Sequence, residues 1–502
     1  MKFEPSYNLF KKDLIKNRSN IIWSSLIADL DTPVSAMLKI GSNIPYSFLL
    51  ESVEGGETKG RYSILGLNPD IIWRCYGNKA EINKNAINNK NDYKKEKSET
   101  LDSLRKLLKV SKIKMPEFLP PMAAGLVGYL GFDTIRLSEN IINKNPSKLK
   151  LPDGIFIRPT IMLIFDSVKD NITLVTPIFL KNKNNKNIKT LYEEGCNRII
   201  DIVKLLNNNI ANNPINNNKL KHINKIKSNY TKREYIKKIN EAKKYITAGD
   251  IFQVVPSQRF EIAFDLPAFN LYRALRRLNP SPFLYYLNFD NFSVVGSSPE
   301  ILVRVRNDIV TIRPIAGTRP RGNTKEQDAE LANDLLNDKK EIAEHVMLLD
   351  LARNDVGRVS KTNSLKVTEK MIIEKYSHVM HIVSNVKGKI NSQYDYLDAL
   401  LAGFPAGTVS GAPKIRAIEI IDELETEKRE VYGGCVGYFS SNGDLDTCIT
   451  LRTALLMKKK MYVQAGGGIV ADSIPEREYE ETVNKAKALF RAAEEAINLF
   501  SK

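Results

Sequence analysis

Two groups of acidic residues in the C-terminal half of the chain have the spacing of a shared metal site. Glu344 and His345 lie in the string KEIAEHVMLLDLARNDVG, with Glu341 one helical turn earlier. The order E-x-x-E-H is similar to the H-x-x-E-H zinc motif, but its first residue is Glu, and carboxylates suit a hard cation better. Glu478 and Glu481, three residues apart, share one helical face, where like charges repel unless a cation lies between them. With Glu344 they predict an oxygen-rich Mg²⁺ site; the alternative for each string is an ordinary charged surface helix.

Two loops with small residues have the composition of an anion site. The string TIRPIAGTRPRG contains Gly317 and Gly322, where backbone N–H groups can approach a ligand closely. It is not a phosphate loop of the G-x-x-x-x-G-K-[ST] type, which the chain lacks. The string AGTVSGAPK places Pro413 at a predicted helix start, where backbone donors face outward. The alternatives are a Gly/Pro turn with solvated arginines and a plain loop-to-helix turn.

The string GGCVG around Cys435 looks like the G-x-C-x-G motif of glutamine amidotransferases. That cysteine needs a histidine base, which in those enzymes follows it along the chain. All histidines of this chain precede Cys435, namely His222, His345, His378 and His381. The chain is therefore not expected to hydrolyse glutamine, and the string is interpreted as a buried strand. The four cysteines form no C-x-x-C pair, which argues against a disulfide framework and a cysteine zinc site.

The net charge of +17 raises nucleic-acid binding as an alternative function. Many of the lysines lie in Lys/Asn/Ile tracts with few aromatic residues between them, at 83–97, 143–150, 181–189 and 207–227. Charge runs of this kind usually solvate a surface, and no DNA- or RNA-binding motif accompanies them. A basic nucleic-acid-binding protein would instead bind any duplex in a salt-sensitive way.

The chain is expected to be a soluble, cytoplasmic protein. It contains no apolar run long enough to span a bilayer, and its first residues, MKFEPSYNLFKKDLIKN, contain no apolar signal core. A length of 502 residues predicts two to four domains. The Asn/Lys-rich segment 207–229 is predicted to be a linker or a long surface loop between an N-terminal region, 1–206, and a C-terminal region, 230–502.

The elements that must position these residues predict an α+β fold. In the N-terminal region, TIMLIFDSV and NITLVTPIFL are typical of neighbouring antiparallel strands. In the C-terminal region a helix capped by Thr231 is followed by the strand pattern IFQVVPSQRFEIAF, and four successive strand patterns run from FLYYLNF to DIVTIRPI. Helices are predicted at about 325–352, 411–425 and 476–498. Strands joined by hairpins and flanked by helices favour layered antiparallel sheets over a parallel βαβ arrangement.

The helix that contains Glu344 is expected to bury an apolar stripe. Helical spacing places that stripe at Ile342, Val346, Leu349, and Ala352 or Arg353.

Several strings of the C-terminal region occur in an order that is typical of one family. They include VGSSPEILVRV, PIAGTRPRG, KEIAEHVMLLDLARNDVG, YSHVMHIVSNVKG, GTVSGAPKIRAIEII, DLDTCITLRTAL, VQAGGGIVADS and EETVNKAKAL. This order closely resembles the chorismate-utilising enzymes, and among them the component I chains of anthranilate synthases. The resemblance covers nearly all of 230–500 and extends more weakly to the N-terminal region through PYSFLLES and GLVGYLGFD.

The resemblance implies a site for chorismate, a dianion, and for Mg²⁺. It implies that Glu344 and Glu481 bind the metal, with Glu478 close by, and that the metal favours loss of the C4 hydroxyl. The residues implied to bind chorismate are Gly317, Thr318, Tyr432, Arg452, Gly466, Gly467 and Gly468. The residues implied in catalysis are Glu344, His381 and Thr408. His381 is expected to act as a general acid–base group in the aromatisation that releases pyruvate, with a hydrogen-bonded core histidine as the alternative.

Two positions within the resemblance predict the nucleophile and the product. Relatives that add water have a lysine where this chain has Gln253, so Gln253 favours ammonia. Aminodeoxychorismate synthases, the alternative assignment, have a lysine where this chain has Ala316, and alanine cannot attack the ring. The expected products are anthranilate and pyruvate, in the first committed step of L-tryptophan biosynthesis. The expected ammonia source is a separate glutamine amidotransferase subunit, component II, in a heterotetramer of two large and two small subunits.

A second site is implied for tryptophan as a feedback inhibitor. The strings LLES and NPSPFL match the elements that bind it in the family, at positions Ser52, Pro282, Phe283 and Leu284. Many relatives have Tyr-Met in place of Phe283-Leu284, but both pairs provide an apolar wall for an indole ring. Binding there is expected to be coupled allosterically to the distant catalytic site.

Overall fold

The structure is a computed structural model that describes residues 1–16, 18–54, 58–142, 145–179, 187–210, 226–376 and 379–500. Most of the predicted linker 207–229 lies outside these residues, and so does His378. The division into two regions at this segment stays a prediction. In space, strands from both regions pair with each other, as described below.

The described residues form eleven helices and twenty-five strands. The helices are α1 (Tyr7–Ile15), α2 (Pro33–Ile40), α3 (Thr100–Val110), α4 (Ile188–Leu206), α5 (Lys232–Thr247), α6 (Ala268–Leu278), α7 (Lys325–Asn337), α8 (Lys339–Gly357), α9 (Tyr396–Gly403), α10 (Lys414–Leu424) and α11 (Pro475–Phe500). The strands of the N-terminal region are β1 (Asn20–Ile27), β2 (Ser47–Glu51), β3 (Val53–Glu54), β4 (Thr58–Lys59), β5 (Tyr62–Tyr76), β6 (Lys79–Asn83), β7 (Lys94–Lys95), β8 (Gly125–Leu130), β9 (Gly154–Asp166) and β10 (Asn171–Ile178). Those that follow are β11 (Lys227–Ser228), β12 (Gln253–Val254), β13 (Ser257–Ala263), β14 (Phe283–Asn288), β15 (Ser293–Ser298), β16 (Ile301–Arg306), β17 (Ile309–Ile312), β18 (Ile315–Pro320), β19 (Lys366–Lys375), β20 (Val379–Lys389), β21 (Gly411–Ala412), β22 (Cys435–Ser440), β23 (Leu445–Ile449), β24 (Thr453–Met457) and β25 (Lys460–Gly466).

Most of these strands form two antiparallel sheets that share the long strands β5 and β9. The first sheet has the order β11-β13-β25-β24-β15-β14-β2-β5-β9-β10-β1. The second runs from β7 through β6, β5, β9, β8, β22, β23, β16 and β17 to β20. β18 and β19 pair with opposite edges of β20. The predicted α+β fold with layered antiparallel sheets is confirmed.

The two sheets diverge where β5 and β9 place prolines opposite each other. Pro69 pairs with Pro159, and the register shifts between Pro69 and Ile71. Proline has no N–H to donate to a strand neighbour, so the hydrogen-bond ladder is interrupted at this point. The first half of β5 therefore pairs with β2 and its second half with β6.

A buried ion pair occupies the same bend. The guanidinium of Arg158 donates to both carboxylate oxygens of Asp70, at 2.8 and 2.6 Å, and to the hydroxyl of Ser111 at 3.1 Å. Arg158 and Asp70 are only 2% and 6% exposed. The bidentate geometry satisfies two charges that the bend removes from water.

Several local predictions are confirmed by the structure. β10 pairs with β9 as an antiparallel neighbour. α5 begins with Thr231, whose hydroxyl accepts from the backbone of Glu234 in a reciprocal capping box. The buried strand predicted around Cys435 is β22.

Three predictions about the elements are wrong in detail. The strand expected over IFQVVPSQRFEIAF is divided into β12 and β13, with Pro256 between them. The helix expected at 325–352 is two helices, because the Asp338 side chain accepts from the backbone of Lys340 and Glu341 and starts α8.

The stripe expected on α8 is confirmed only in part. Leu349 and Ala352 are buried as predicted, whereas Val346 is 40% exposed and His345 is buried instead. The buried face of α8 includes His345, a polar residue that a prediction based on apolar spacing leaves out.

Replacing Asp70 with Asn is expected to lower the free energy of unfolding by about 3–5 kcal/mol, because it leaves Arg158 buried without a counter-ion. Denaturant unfolding followed by circular dichroism measures this change. The matched control is Glu96→Gln, since Glu96 pairs with Lys84, whose side chain is 60% exposed; that change is expected to cost at most about 1 kcal/mol. Equal losses for the two variants would contradict the role given to the buried pair.

Candidate active site

A cavity of about 550 Å³ lies among the ends of several strands and the helices α8 and α11. The structure brings nearly all the predicted site residues to it, from positions far apart in the sequence. The predicted residues that line it are Gly317, Thr318, Glu344, His381, Thr408, Tyr432, Arg452, Gly466, Gly468, Glu478 and Glu481. Gly467 lies between two of these, and a Cβ atom on it would be 3.3 Å from the Glu478 carboxylate. Their individual roles stay predictions.

The first carboxylates of the cavity come from α8. Glu341 and Glu344 are three residues apart and face the cavity together. The side-chain amide of Gln253, on β12, donates to the Glu344 carboxylate at 3.1 Å. The other amide atom of Gln253, its carbonyl oxygen, is buried and has no hydrogen-bond partner within the described residues. This oxygen is therefore an unsatisfied acceptor behind the surface of the cavity.

The second pair of carboxylates comes from the start of α11. Burial raises the pKa of Glu478, and the nearby charge of Glu481 raises it further. Glu481 is in turn paired with Lys485 at 2.7 Å, and the Lys485 ammonium also donates to the carbonyl of Gly466 at 3.0 Å. Lys340 also lines the cavity. The carboxylates are therefore only partly neutralised by lysines of the chain itself.

The carboxylates fit a cation that uses few protein ligands. Within the described residues, no three His, Cys, Asp or Glu side chains are close enough together to hold a metal ion by themselves. Such a full set of ligands is what a structural zinc ion requires. Mg²⁺ usually keeps several waters and takes one or two carboxylates plus oxygens of its substrate. Glu344, Glu478 and Glu481 around one cavity suit the second arrangement.

His381 is held in one orientation at the edge of the cavity. Its Nδ1 atom lies 2.9 Å from the carbonyl oxygen of Gly317 and 3.1 Å from the hydroxyl of Thr318. Because a carbonyl only accepts, Nδ1 carries the proton and Nε2 of the neutral ring is left with a free lone pair. Burial lowers the pKa of His381, so the ring is neutral at neutral pH. His381 can therefore accept a proton at Nε2.

Gly317 is required by its own backbone conformation. Its φ is +69°, and a Cβ atom there would be 2.9 Å from a methyl group of Leu335. Ala316, the preceding residue, lines the cavity and pairs with Ile382 across β18 and β20. A longer side chain at position 316 would therefore occupy the cavity itself.

The sequence interpretation did not single out Glu300, which is a buried acid of the same cavity. The Thr408 hydroxyl is 3.2 Å from both carboxylate oxygens of Glu300. Burial raises the pKa of Glu300 to about 8, although Thr408 and the charge of Arg452 act in the opposite direction. At neutral pH this carboxyl group is protonated and can donate. The only sequence signal was its place in VGSSPEILVRV, as an acid next to a buried strand.

Two other residues that line the cavity, Arg452 and Tyr432, are suited to bind an anion. A Cβ atom on Gly466 would be only 2.9 Å from the Tyr432 hydroxyl, so the glycine leaves room for this oxygen. An arginine fork beside a phenol is a suitable partner for a carboxylate.

The residues predicted to bind tryptophan lie together in a second cavity. Ser52, Pro282, Phe283 and Leu284 line a space of about 880 Å³ between β2 and the second sheet. A third cavity, of about 700 Å³, is lined by Pro282 and also by His381 and Arg452 of the catalytic cavity. Pro282, in the loop before β14, thus lines both the predicted tryptophan cavity and the third cavity, which reaches His381 and Arg452.

Comparisons with known proteins place this cavity in a defined family. The family model described as chorismate binding enzyme matches residues 51–491, so the chain belongs to that family.

In the described part of the chain, no helix is long and apolar enough to cross a membrane.

The relatives define the kind of chorismate enzyme. The chain is 52% identical over 499 residues to anthranilate synthase component 1 of Cereibacter sphaeroides, which covers 99% of each chain. It is 46% identical over 483 residues to the component 1 of Aquifex aeolicus, with 94% of each covered.

Solved structures agree with this. Anthranilate synthase component I of Streptococcus pneumoniae superposes with a TM-score of 0.75 at 37% identity, covering 86% of this chain and 92% of the other. The menaquinone-specific isochorismate synthase of Escherichia coli shares the fold, with a TM-score of 0.70 at 20% identity over 97% and 99% of the two chains. The chain is thus a chorismate-utilising enzyme of the lyase type.

The protonated state of Glu300 can be tested without substrate. Because its pKa is raised from 4.5 to about 8, its proton is retained through neutral pH and lost as the pH rises further. Infrared difference spectra from about pH 6 to about pH 10 are expected to show loss of a protonated-carboxyl band. The Glu300→Gln variant should lack this band. A wild-type spectrum that already lacks the band at the lower pH would contradict the assignment.

Proposed function

We propose that this chain is the large subunit of an anthranilate synthase, which converts chorismate and ammonia into anthranilate, pyruvate and water with Mg²⁺. The observation that carries the proposal is the composition of one cavity. It is lined by several carboxylates, by Arg452 and Tyr432, and by Ala316. In this proposal the reaction is the first committed step of tryptophan biosynthesis.

Two sets of residues in the cavity suit the two carboxylates of chorismate. Arg452 and Tyr432 would bind the enolpyruvyl carboxylate, and the glycines 466–468 leave room for it. Glu344 and Glu481, with Glu478 beside them, would hold Mg²⁺ next to the ring carboxylate. When bound, the ion would supply Lewis-acid stabilisation of the charge that develops as the C4 hydroxyl leaves.

Glu300 is suited to protonate that leaving hydroxyl. The carboxyl group is protonated at neutral pH because of its burial, and Thr408 fixes its orientation. In the proposed reaction its proton goes to the C4 oxygen, which leaves as water while the nitrogen of ammonia bonds to C2. The carboxylate that remains is close enough to Arg452 to be stabilised by its charge.

His381 is suited to the second stage of the reaction. Its Nε2 would take the proton from C2 of the amino intermediate as the bond between C3 and the enolpyruvyl oxygen breaks. The ring then becomes aromatic, and the released enolpyruvate gains a proton to give pyruvate. The hydrogen bond from Nδ1 to the Gly317 carbonyl keeps the ring oriented for this transfer.

The wall around the nucleophile favours ammonia over water. Water needs a base to become a good nucleophile, whereas neutral ammonia has a reactive lone pair. Gln253, which lines the cavity, is a neutral amide and cannot act as that base. Ala316 supports the same product, because it provides no amine to attack the ring, unlike the lysine of the alternative aminodeoxychorismate synthase.

We propose that the ammonia comes from a glutamine amidotransferase subunit, component II, in a heterotetramer of two large and two small chains. The name component 1 of the relatives implies such a second component. Cys435 of this chain is a poor candidate for that chemistry, since burial raises the pKa of its thiol to about 12. The small subunit would supply the reactive cysteine that this chain lacks.

We further propose that tryptophan inhibits the enzyme by binding in the cavity lined by Ser52, Phe283 and Leu284. The apolar side chains of that cavity suit an indole ring. Pro282 is shared with the cavity that leads to His381, which provides a route for coupling the two sites.

The direct test is to mix the chain with chorismate, Mg²⁺ and a high concentration of ammonium and to follow anthranilate by fluorescence. Activity without the small subunit is expected, because ammonium replaces the glutaminase. Glu344→Gln and Glu481→Gln are expected to lower turnover by at least about 100-fold with an unchanged circular dichroism spectrum. Formation of a para-aminobenzoate precursor, or no amination at all, would refute the proposal.

Replacing Phe283 with Ala is expected to weaken tryptophan inhibition by about 10-fold, because the wall for the indole ring is lost. Activity with ammonium in the absence of tryptophan should stay within about 3-fold of wild type, since Phe283 does not line the catalytic cavity. Initial rates over a range of tryptophan concentrations measure both quantities. If tryptophan changes neither rate nor substrate affinity of the wild type, the proposed inhibitor site is wrong.

A further inference from the structure

Two neighbouring residues of α8 face different surroundings. Glu344 faces the catalytic cavity, whereas His345 is completely buried on the side of the helix that packs against the sheet. The same side continues through Leu349, Ala352 and Val356, which are all buried. Successive residues of a helix are about 100° apart around its axis, so the contacts of His345 determine where Glu344 points.

His345 meets a serine that connects several elements of the site. Its Nε2 atom is 2.7 Å from the hydroxyl of Ser384 on β20. The same hydroxyl oxygen accepts from the backbone N–H of Met371 at 2.9 Å, and the Ser384 N–H donates to the Pro314 carbonyl at 3.2 Å. The serine oxygen has two lone pairs, so it can accept a second hydrogen bond from Nε2 or donate its single proton to that atom. In either tautomer the histidine ring and the serine are joined by this hydrogen bond.

The other ring nitrogen of His345, Nδ1, has no hydrogen-bond partner within the described residues. The bond to Ser384 is thus the polar contact that fixes the ring.

The partners of Ser384 are parts of the catalytic cavity or adjoin it. Pro314 immediately precedes β18, which contains Ala316 and Gly317. Met371 lies at an irregularity of β19, with a φ of +54°, so its N–H does not follow the regular ladder and is satisfied by the serine instead. The bond between Ser384 and His345 therefore ties α8 to β20, which carries His381, and through Pro314 to β18, which carries Ala316 and Gly317.

We propose that His345 is a positioning residue that acts through Glu344: its hydrogen bond with the Ser384 hydroxyl fixes the rotation of α8 and directs the Glu344 carboxylate toward the cation. This inference rests on the proposed Mg²⁺ site. Removing a residue that orients a metal ligand without itself binding the metal typically changes metal affinity or activity by about 10- to 100-fold.

The test compares His345→Gln with His345→Asn. Both are polar, but only the longer glutamine side chain reaches the position of Nε2 and can accept from Ser384. Binding of Mn²⁺, used as a probe for Mg²⁺, is measured by electron paramagnetic resonance of the free ion. The Mg²⁺ concentration for half-maximal activity and the kcat at saturating Mg²⁺ are measured in parallel.

His345→Asn is expected to weaken metal binding by about 10-fold or more, while His345→Gln stays within about 3-fold of wild type. At saturating Mg²⁺ both should retain kcat within about 3-fold, which separates positioning from general damage. The control is Ser360→Ala, which removes the 2.7 Å bond from a serine hydroxyl to the Val356 carbonyl at the other end of α8. This control is expected to bind metal like the wild type.

Equal metal affinity of wild type, His345→Asn and His345→Gln would overturn the inference. Absence of Mn²⁺ binding by the wild type is a different result and would refute the proposed metal site itself. If His345→Asn does not fold, Ser384→Ala removes the same hydrogen bond from its other partner. That variant is expected to show the same weakening, and wild-type affinity for it would also overturn the inference.

Discussion

The catalytic cavity brings several acidic side chains to one site, and neighbouring groups compensate their charges in different ways. Glu300 stays protonated, with a pKa raised to about 8 by burial. Glu481 is paired with Lys485, and Glu344 accepts a hydrogen bond from Gln253. These differences suit the acids to different roles. Glu300 keeps a proton that it can donate, whereas Glu344 and Glu481 are only partly neutralised and can bind a cation.

This arrangement depends on a scaffold whose parts are distant in sequence. Glu300 lies between β15 and β16, Glu344 on α8, and Glu478 and Glu481 on α11. The sheets fix these positions because β15 pairs with β24 and β16 with β23, and the register of each pair is set by neighbouring strands. The bend at Pro69 and Pro159 lets the same two long strands serve both sheets, so strands of the N-terminal region brace the catalytic side directly.

Much of this organisation could be predicted from the sequence, and the failures have physical reasons. The α5 cap, the buried strand at Cys435 and the shared face of Glu478 and Glu481 depend on local rules, and these predictions needed no tertiary information. Glu300 was missed because a single acid beside a strand has no periodic signal, and only its burial gives it a retained proton. The stripe of α8 was predicted correctly at Leu349 and Ala352 but wrongly at Val346. His345 was left out because it is polar, yet it is buried and its Nε2 is bonded to Ser384, more than 30 positions away.

In the proposed reaction, specificity depends as much on groups that are absent as on those that are present. Gln253 is an amide where a base would activate water, and Ala316 is a methyl group where an amine would attack the ring. The proposed reaction then takes its nucleophile from outside, as ammonia, which explains why such a chain would work with a glutaminase partner. In the proposed reaction, positions 253 and 316 therefore select ammonia and the product. Each has a side chain that is less basic than the lysine of the other family members, and at position 316 it is also shorter.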